Sequence, residues 1–152
     1  MNECIVFLTP PDDFSPRARA SGCYCEFEDK LLFLKRQVDA VQPNTWGVPG
    51  GKWEAGEDAR AAVIREVQEE VGIEIDSPGL EKVGQIYIRH PQADYVFHMF
   101  RMSFAVCPVI SLNLREHQEA QWVTIPQALQ LPLIAGGKEA LDYYRGFIFD
   151  TH

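Results

Sequence analysis

Between Gly51 and Ile73 carboxylates are packed more densely than a soluble helix needs, and this stretch limits what the chain can become. Glu66, Glu69 and Glu70 recur at i, i+3 and i+4. At about 100° per residue they fall within an arc of roughly 100° on one helix face. Like charges at those spacings repel when unpaired. A hard divalent cation turns the repulsion into ligation, and oxygen-only donors of this kind suit Mg²⁺ or Mn²⁺. Val63, Val67 and Val71, with Ile64 beside them, form an apolar stripe on the same helix, so one flank packs while the next binds. Gly72 stands where a helix C-terminus takes positive φ, which predicts a helix from about Asp58 to Val71. Ahead of it, Pro49, Gly50 and Gly51 read as irregular backbone able to approach a ligand or the helix start closely.

The rest of the chain is compatible with one folded domain around that helix. Its 152 residues are near the commonest domain size, 46% are apolar, and no polar or Pro/Ser-rich tract argues for disorder. The 14 basic and 22 acidic side chains leave a formal charge of −8, which disfavours duplex nucleic acid or an anionic membrane as the main partner. A small phosphorylated molecule remains compatible, because bound cations would neutralise the acids that meet it. No apolar run approaches the ~18 residues of a membrane span. The N-terminus has no basic segment before its short apolar run, so the default reading is a soluble cytoplasmic protein. Cys4 and Cys107 stand alone and Cys23 and Cys25 share one face of a strand, a pattern read as reduced, small apolar residues.

Taken in order, Cys4 to Leu8 predicts a short strand that Thr9 to Asp13 breaks. Ala20 to Phe27 and Leu31 to Leu34 predict a hairpin, ended by Lys35 and Arg36, and Thr45 to Pro49 leads into the acidic stretch in extended form. A brief strand is expected at Ile73 to Ile75, then two antiparallel strands at Lys82 to Arg89 and Tyr95 to Cys107. Leu112 to Ala120 reads as a polar loop and Gln121 to Ile125 as a strand. A small helix is expected from Pro126 to Leu129, and a last one from Gly137 to Phe147. Strands at both ends of a central helix, with another helix at the C-terminus, argue for a mixed β-sheet covered on two faces.

The acidic stretch resembles the signature of the Nudix hydrolases: a Gly, five residues, Glu, seven residues, then Arg-Glu-apolar-x-Glu-Glu-x-Gly-apolar. Gly51, Glu57, Arg65, Glu66, Val67, Glu69, Glu70, Gly72 and Ile73 meet every fixed position. The resemblance implies an α/β/α sandwich with a central mixed β-sheet over residues 20–152, leaving residues 1–19 as an N-terminal extension packed on the domain. That extension is the natural place for a homodimer contact or a pocket lid.

The reaction it implies is hydrolysis of a pyrophosphate bond in a nucleoside diphosphate linked to another group, with Mg²⁺ as cofactor and Mn²⁺ as a substitute. The ions offset phosphate charge, orient in-line attack and activate water. Glu66, Glu69, Glu70 and the backbone carbonyl of Gly51 are the implied metal ligands, with Glu57 and Arg65 as a bidentate structural ion pair. Catalysis is expected from Glu66, Glu69, Glu116 and Arg65. The resemblance leaves the general base between the signature helix and a downstream loop acid; Glu116 is preferred as base and further ligand, with Glu119 as its alternative.

For substrate binding, Tyr87, Arg89, Phe97 and Arg36 are the candidates, with Phe100 and Lys35 beside them. An aromatic ring stacks on a base and a cation holds phosphate. His90, His98 and His117 have no soft-metal spacing and are read as polar residues. A nucleoside triphosphate or related nucleotide ranks first as substrate, ADP-ribose or a nucleotide sugar second, a dinucleoside polyphosphate or capped RNA third. A catalytically silent nucleotide sensor is the competing class, but its mark, loss of signature acids, is not present.

Overall fold

The computed structural model describes residues 4–151. Strands β1 (Ile5–Phe7), β2 (Pro16–Phe27), β3 (Lys30–Arg36), β4 (Trp46–Gly47), β5 (Gly50–Lys52), β6 (Glu81–Arg89), β7 (Asp94–Phe104) and β8 (His117–Val123) form one mixed sheet. Its order is β1-β6-β7-β2-β3-β4, with β5 added to β2 and β8 to β3. Helices α1 (Ala59–Val71), α2 (Ile125–Ala128) and α3 (Gly137–Thr151) complete the regular structure, with a single 3₁₀ turn at Ser77–Gly79.

Two local pairings follow the sequence pattern. β2 and β3 form the hairpin, meeting at Glu26 with Leu31 and Phe27 with Lys30, and β6 and β7 run antiparallel from Glu81 with Arg101 to Arg89 with Asp94. β2 begins earlier than the alternation from Ala20 predicts because β7 lies parallel to it, from Pro16 with Asp94 to Phe27 with Phe104. A parallel partner that distant in sequence leaves no local turn signal. β1 closes the sheet against β6, with Val6 opposite Ile88. Of the N-terminal extension expected over residues 1–19, residues 1–3 lie outside the described residues.

Alternation along the strands separates two cores. Cys23, Cys25, Leu32, Leu34 and Phe100 pack with Val63, Val67 and Val71 of α1, whereas Tyr24, Phe33, Ile86 and Met99 pack with Ala140, Leu141 and Tyr144 of α3. The result is an α/β/α sandwich. The three valines of α1 are fully buried, a contribution of about 1.5–3 kcal/mol each. α1 starts where Asp58, in extended backbone, accepts the N–H of Ala61 at 2.8 Å, and stops at Gly72, whose φ is 73°. Both ends agree with the sequence reading. All four cysteines are free.

Three further segments differ from expectation. Gly50 and Gly51 are strand, not irregular backbone: β5 pairs antiparallel with β2, Gly50 opposite Gly22 and Gly51 opposite Ser21. A Cβ on Gly50 would stand 2.3 Å from the carbonyl oxygen of Ser21, so glycine is what lets the two backbones meet. Ile73 to Ile75 forms no strand; Ile73 instead buries its side chain in the core beneath α1. Finally, β8 begins at His117, inside the stretch read as a loop, because its polar side chains alternate with ones that pair along β3.

Candidate active site

The C-terminal end of α1 leaves backbone carbonyls that the helix itself cannot satisfy. The chain after β7 fills this need. Ser111 N–H donates to the carbonyl of Val71 and Asn113 N–H to that of Glu70, both at 2.8 Å. Asn113 then accepts the backbone N–H of Glu116 at 3.2 Å and of His117 at 3.1 Å. Gln37 ties the same loop to β3, its side chain donating to the carbonyls of Leu114 and His117. A loop distant in sequence is thereby held beside Glu70. Carboxylate oxygens of Glu70 and Glu116 and a ring nitrogen of His117 lie within 4.8 Å of one another.

The three helix carboxylates have different environments. Glu70 is 5% exposed and accepts the backbone N–H of Gly50 at 2.7 Å. Burial pushes its carboxyl well above the usual range, and the charges of Glu66 and Glu116 add to that rise while the Gly50 N–H and Arg36 oppose it. Glu66 is half-buried against Gly51, where a Cβ would come within 2.5 Å of its carboxyl carbon. Its carboxyl is also raised, first by burial, with Arg65 pulling it back. Glu69 is the exposed member and accepts from Arg65 Nη1 at 3.0 Å.

Arg65 organises this face. Its Nε and Nη2 grip both oxygens of Glu57 at 2.7 and 3.0 Å, Nη1 reaches Glu66 at 2.9 Å, and Nη2 also donates to the carbonyl of Lys52 at 3.1 Å. The guanidinium lowers the Glu57 carboxyl to about 2, and the partnership with Glu57 raises Arg65 further above its already basic range. The fork geometry suits arginine and no other cation.

These residues fit a divalent cation. Burial and mutual repulsion hold two carboxyls toward their neutral forms, the arrangement that a cation would ionise and a proton release would accompany. The Glu66 carboxyl occupies the space a side chain at position 51 would fill.

Beside the acids is a cavity of about 440 Å³. Gly50, Gly51, Glu70, His117 and Arg36 line it, together with an apolar wall that includes Trp46, Val48, Tyr95, Phe97 and Ile88. Phe97 is pressed onto Gly22, where a Cβ would stand 2.7 Å from its ring. Arg36 is held by donating from Nε to the carbonyl of Val41 at 2.7 Å.

Four of the six residues expected at the substrate pocket lie elsewhere. On β6, Ile86 and Ile88 face the α3 side, so Tyr87 and Arg89 face the opposite way. Arg89 pairs with Asp94 at 3.1 Å and Asp13 at 3.3 Å, and Tyr87 meets Phe14 edge-on and accepts from Gln85. Phe100 belongs to the α1-side core, and Lys35 stands opposite Glu119 in the β3–β8 register, both off the cavity. Glu119 accepts from Gln121 and is exposed.

The histidines also separate. His98 is buried beside Trp53, with ring centroids 5.0 Å apart, and His90 lines the cavity. His117 is 6% exposed, its pKa lowered to about 4 by burial and then by Arg36. Sequence spacing had marked it only as polar; its place at the first inward position of a strand directly after Glu116 was the available signal. The backbone N–H of Gly50 and the wall from Ile134 to Gly137 carried no such signal, since both depend on contacts between distant segments.

An α/β/α sandwich that presents an Arg-clamped acidic helix to a cavity defines the class of protein, and comparisons with known proteins agree. The family model described as the NUDIX domain matches residues 16–144. The Nudix hydrolase YvcI of Bacillus subtilis is 32% identical over 128 residues, covering 82% of this chain and 77% of that protein. The CTP pyrophosphohydrolase of Escherichia coli is 32% identical over 114 residues, covering 71% and 76%. The crystal structure of a MutT protein from Methanosarcina mazei superposes with a TM-score of 0.74 at 24% identity, over 89% of this chain and 95% of that one. The chain belongs to the Nudix hydrolase family and is a hydrolase of pyrophosphate bonds. Such enzymes use divalent metals, and no helix among the described residues is long and apolar enough to cross a membrane.

Proposed function

We propose that this Nudix hydrolase cleaves a nucleoside triphosphate, or a closely related nucleotide derivative, into a nucleoside monophosphate and pyrophosphate with Mg²⁺ as its natural cofactor. The observation that carries the reading is the single cavity wall that joins the buried Glu70 and Arg36 to the aromatic ring of Phe97. A molecule with a flat base and a charged diphosphate matches both parts. The relative from Escherichia coli, named a CTP pyrophosphohydrolase, supports a triphosphate as the first choice.

Glu66, Glu69, Glu70, Glu116 and the Gly51 carbonyl would hold the metal. Bound there, divalent ions supply charge neutralisation for the diphosphate and activation of the attacking water. The chain's own residues do the rest. Arg65 fixes Glu66 and Glu69 in place, and Gly50 fixes Glu70. Glu116, exposed to solvent on its loop, takes the proton from the attacking water. Arg36 holds phosphate, and Phe97 stacks on the base. Tyr87 and Arg89 take no part, since their partners lie off the cavity.

A panel of nucleoside triphosphates, ADP-ribose, nucleotide sugars and dinucleoside polyphosphates, followed by ³¹P NMR with Mg²⁺, tests this. Monophosphate and pyrophosphate released fastest from a triphosphate are the expected products. Preference for ADP-ribose would overturn the substrate choice. Tight binding of one nucleotide with no turnover of any would replace the enzyme reading with a silent sensor.

A further inference from the structure

His117 is an unusual residue to find beside a cluster of carboxylates. It is 6% exposed, and its Nδ1 is fully buried with no hydrogen-bond partner. A buried polar atom left unpaired is destabilising, so such an atom on a residue that lines the cavity marks a place where a partner binds. The backbone on either side of the ring is fully committed. The N–H of His117 donates to Asn113, and its carbonyl accepts from Gln37. The position of the ring is therefore set by the loop and not by any bond the ring itself makes.

The ring approaches two of the carboxylates. One of its nitrogens lies within 4.8 Å of carboxylate oxygens on both Glu70 and Glu116. Donor atoms at that mutual separation can share one cation between them. Two anionic oxygens and one neutral nitrogen form a set that differs from the oxygen-only set of the signature helix. Mg²⁺ strongly prefers oxygen donors, whereas first-row transition ions accept imidazole readily.

We infer that His117 contributes an imidazole nitrogen to a cation position shared with Glu70 and Glu116, and that this position favours Mn²⁺ or a later first-row ion over Mg²⁺. The inference rests on the reading of Glu70 and Glu116 as metal ligands. It adds a donor that the signature does not contain, supplied by β8. The protein would then hold two unlike positions: an oxygen position around Glu66, Glu69 and Gly51, and a mixed oxygen and nitrogen position on the side of Glu70 facing the loop.

Electron spin-echo spectroscopy of the Mn²⁺-loaded full chain reads this directly, because a coordinated imidazole imposes ¹⁴N modulation on the manganese signal. Wild type should show that modulation, His117→Gln should lose it, and His98→Gln should keep it. Competition titrations should show the Mn²⁺ over Mg²⁺ preference of wild type falling about tenfold or more in His117→Gln, within the range that loss of a supporting group costs a metal site. Mn²⁺ bound without ¹⁴N modulation in wild type would overturn the role of His117 while leaving the carboxylate site standing. That would also be the result if the ring only hydrogen-bonds a substrate phosphate. Failure of the wild-type protein to bind Mn²⁺ at all would overturn both the inference and the reading beneath it. Circular dichroism of His117→Gln, matched to wild type, separates loss of a ligand from loss of the fold; should that variant unfold, absence of ¹⁴N modulation from wild type remains the deciding result.

Discussion

The backbone N–H of Gly50 donates to the carboxylate of Glu70 at 2.7 Å, joining the strand before the signature helix to that helix's last turn. The bond holds a carboxyl where burial opposes its charge. Glu70→Gln keeps an oxygen acceptor for Gly50 and removes the ionisable group. The metal-free variant should therefore be more stable than wild type, by about 1 kcal/mol, as expected when a strained functional group is neutralised. Mg²⁺ should raise the melting temperature of wild type more than that of the variant, which keeps the oxygen donors of Glu66, Glu69 and Gly51 but loses the carboxylate of Glu70. Thermal melts with and without Mg²⁺ check both statements; a variant less stable than the metal-free wild type would contradict them.

Adjacent glycines should respond differently to the same substitution. A Cβ on Gly50 meets the carbonyl oxygen of Ser21 at 2.3 Å, a backbone atom that cannot turn aside. Gly50→Ala should cost about 3 kcal/mol in a urea titration, as overpacking between two strands does. The atoms nearest a Cβ on Gly51 are those of the Glu66 carboxyl, from 2.5 Å, and that side chain can swing away. Gly51→Ala should leave stability within about 1 kcal/mol of wild type and reduce turnover at least tenfold by displacing a metal ligand.

The Arg65–Glu57 fork predicts a signature in acid. Glu57 has its pKa lowered from 4.5 to about 2 in the folded chain. A carboxyl with a depressed folded pKa stabilises the fold above its unfolded value, and that contribution fades as pH falls from about 4.5 towards 2. Arg65→Lys, which cannot reproduce the fork, should narrow the gap between stability at pH 6 and pH 3. Because Lys also loses the contacts to Glu66 and Glu69, kcat should fall while the fold remains. Equal acid sensitivity in variant and wild type would remove the assignment of this pair as a stabilising one.

How much of this was legible in the sequence depends on how local each feature is. Asp58 and Gly72 announce the ends of α1 because capping is decided within one turn, and the valine stripe announces its packed flank. The β2–β3 and β6–β7 hairpins follow from alternation and short connections. By contrast, Gly50 and Gly51 look like a break in any local reading, and only the approach of Ser21 and Gly22 makes them a strand. Arg89 was attractive for phosphate as an isolated cation on a strand; its pairing with Asp94 across the hairpin and Asp13 from the N-terminal segment removes that freedom. His117 carried only a faint local signal, its place directly after Glu116, for the complementary reason. Its neighbours in space, Glu70 above all, are brought to it by hydrogen bonds from the 111–117 loop to the end of α1.

The central claim is that the acidic face of α1 holds the divalent ions that hydrolysis requires. Its most direct test is turnover of the best nucleotide substrate by wild type and by Glu66→Gln, each with Mg²⁺ and after chelation. Turnover should occur in wild type only with the metal and fall at least about 100-fold in the variant, whose circular dichroism should match wild type. Full Mg²⁺-dependent activity in Glu66→Gln, or unchanged wild-type activity after chelation, would contradict the account.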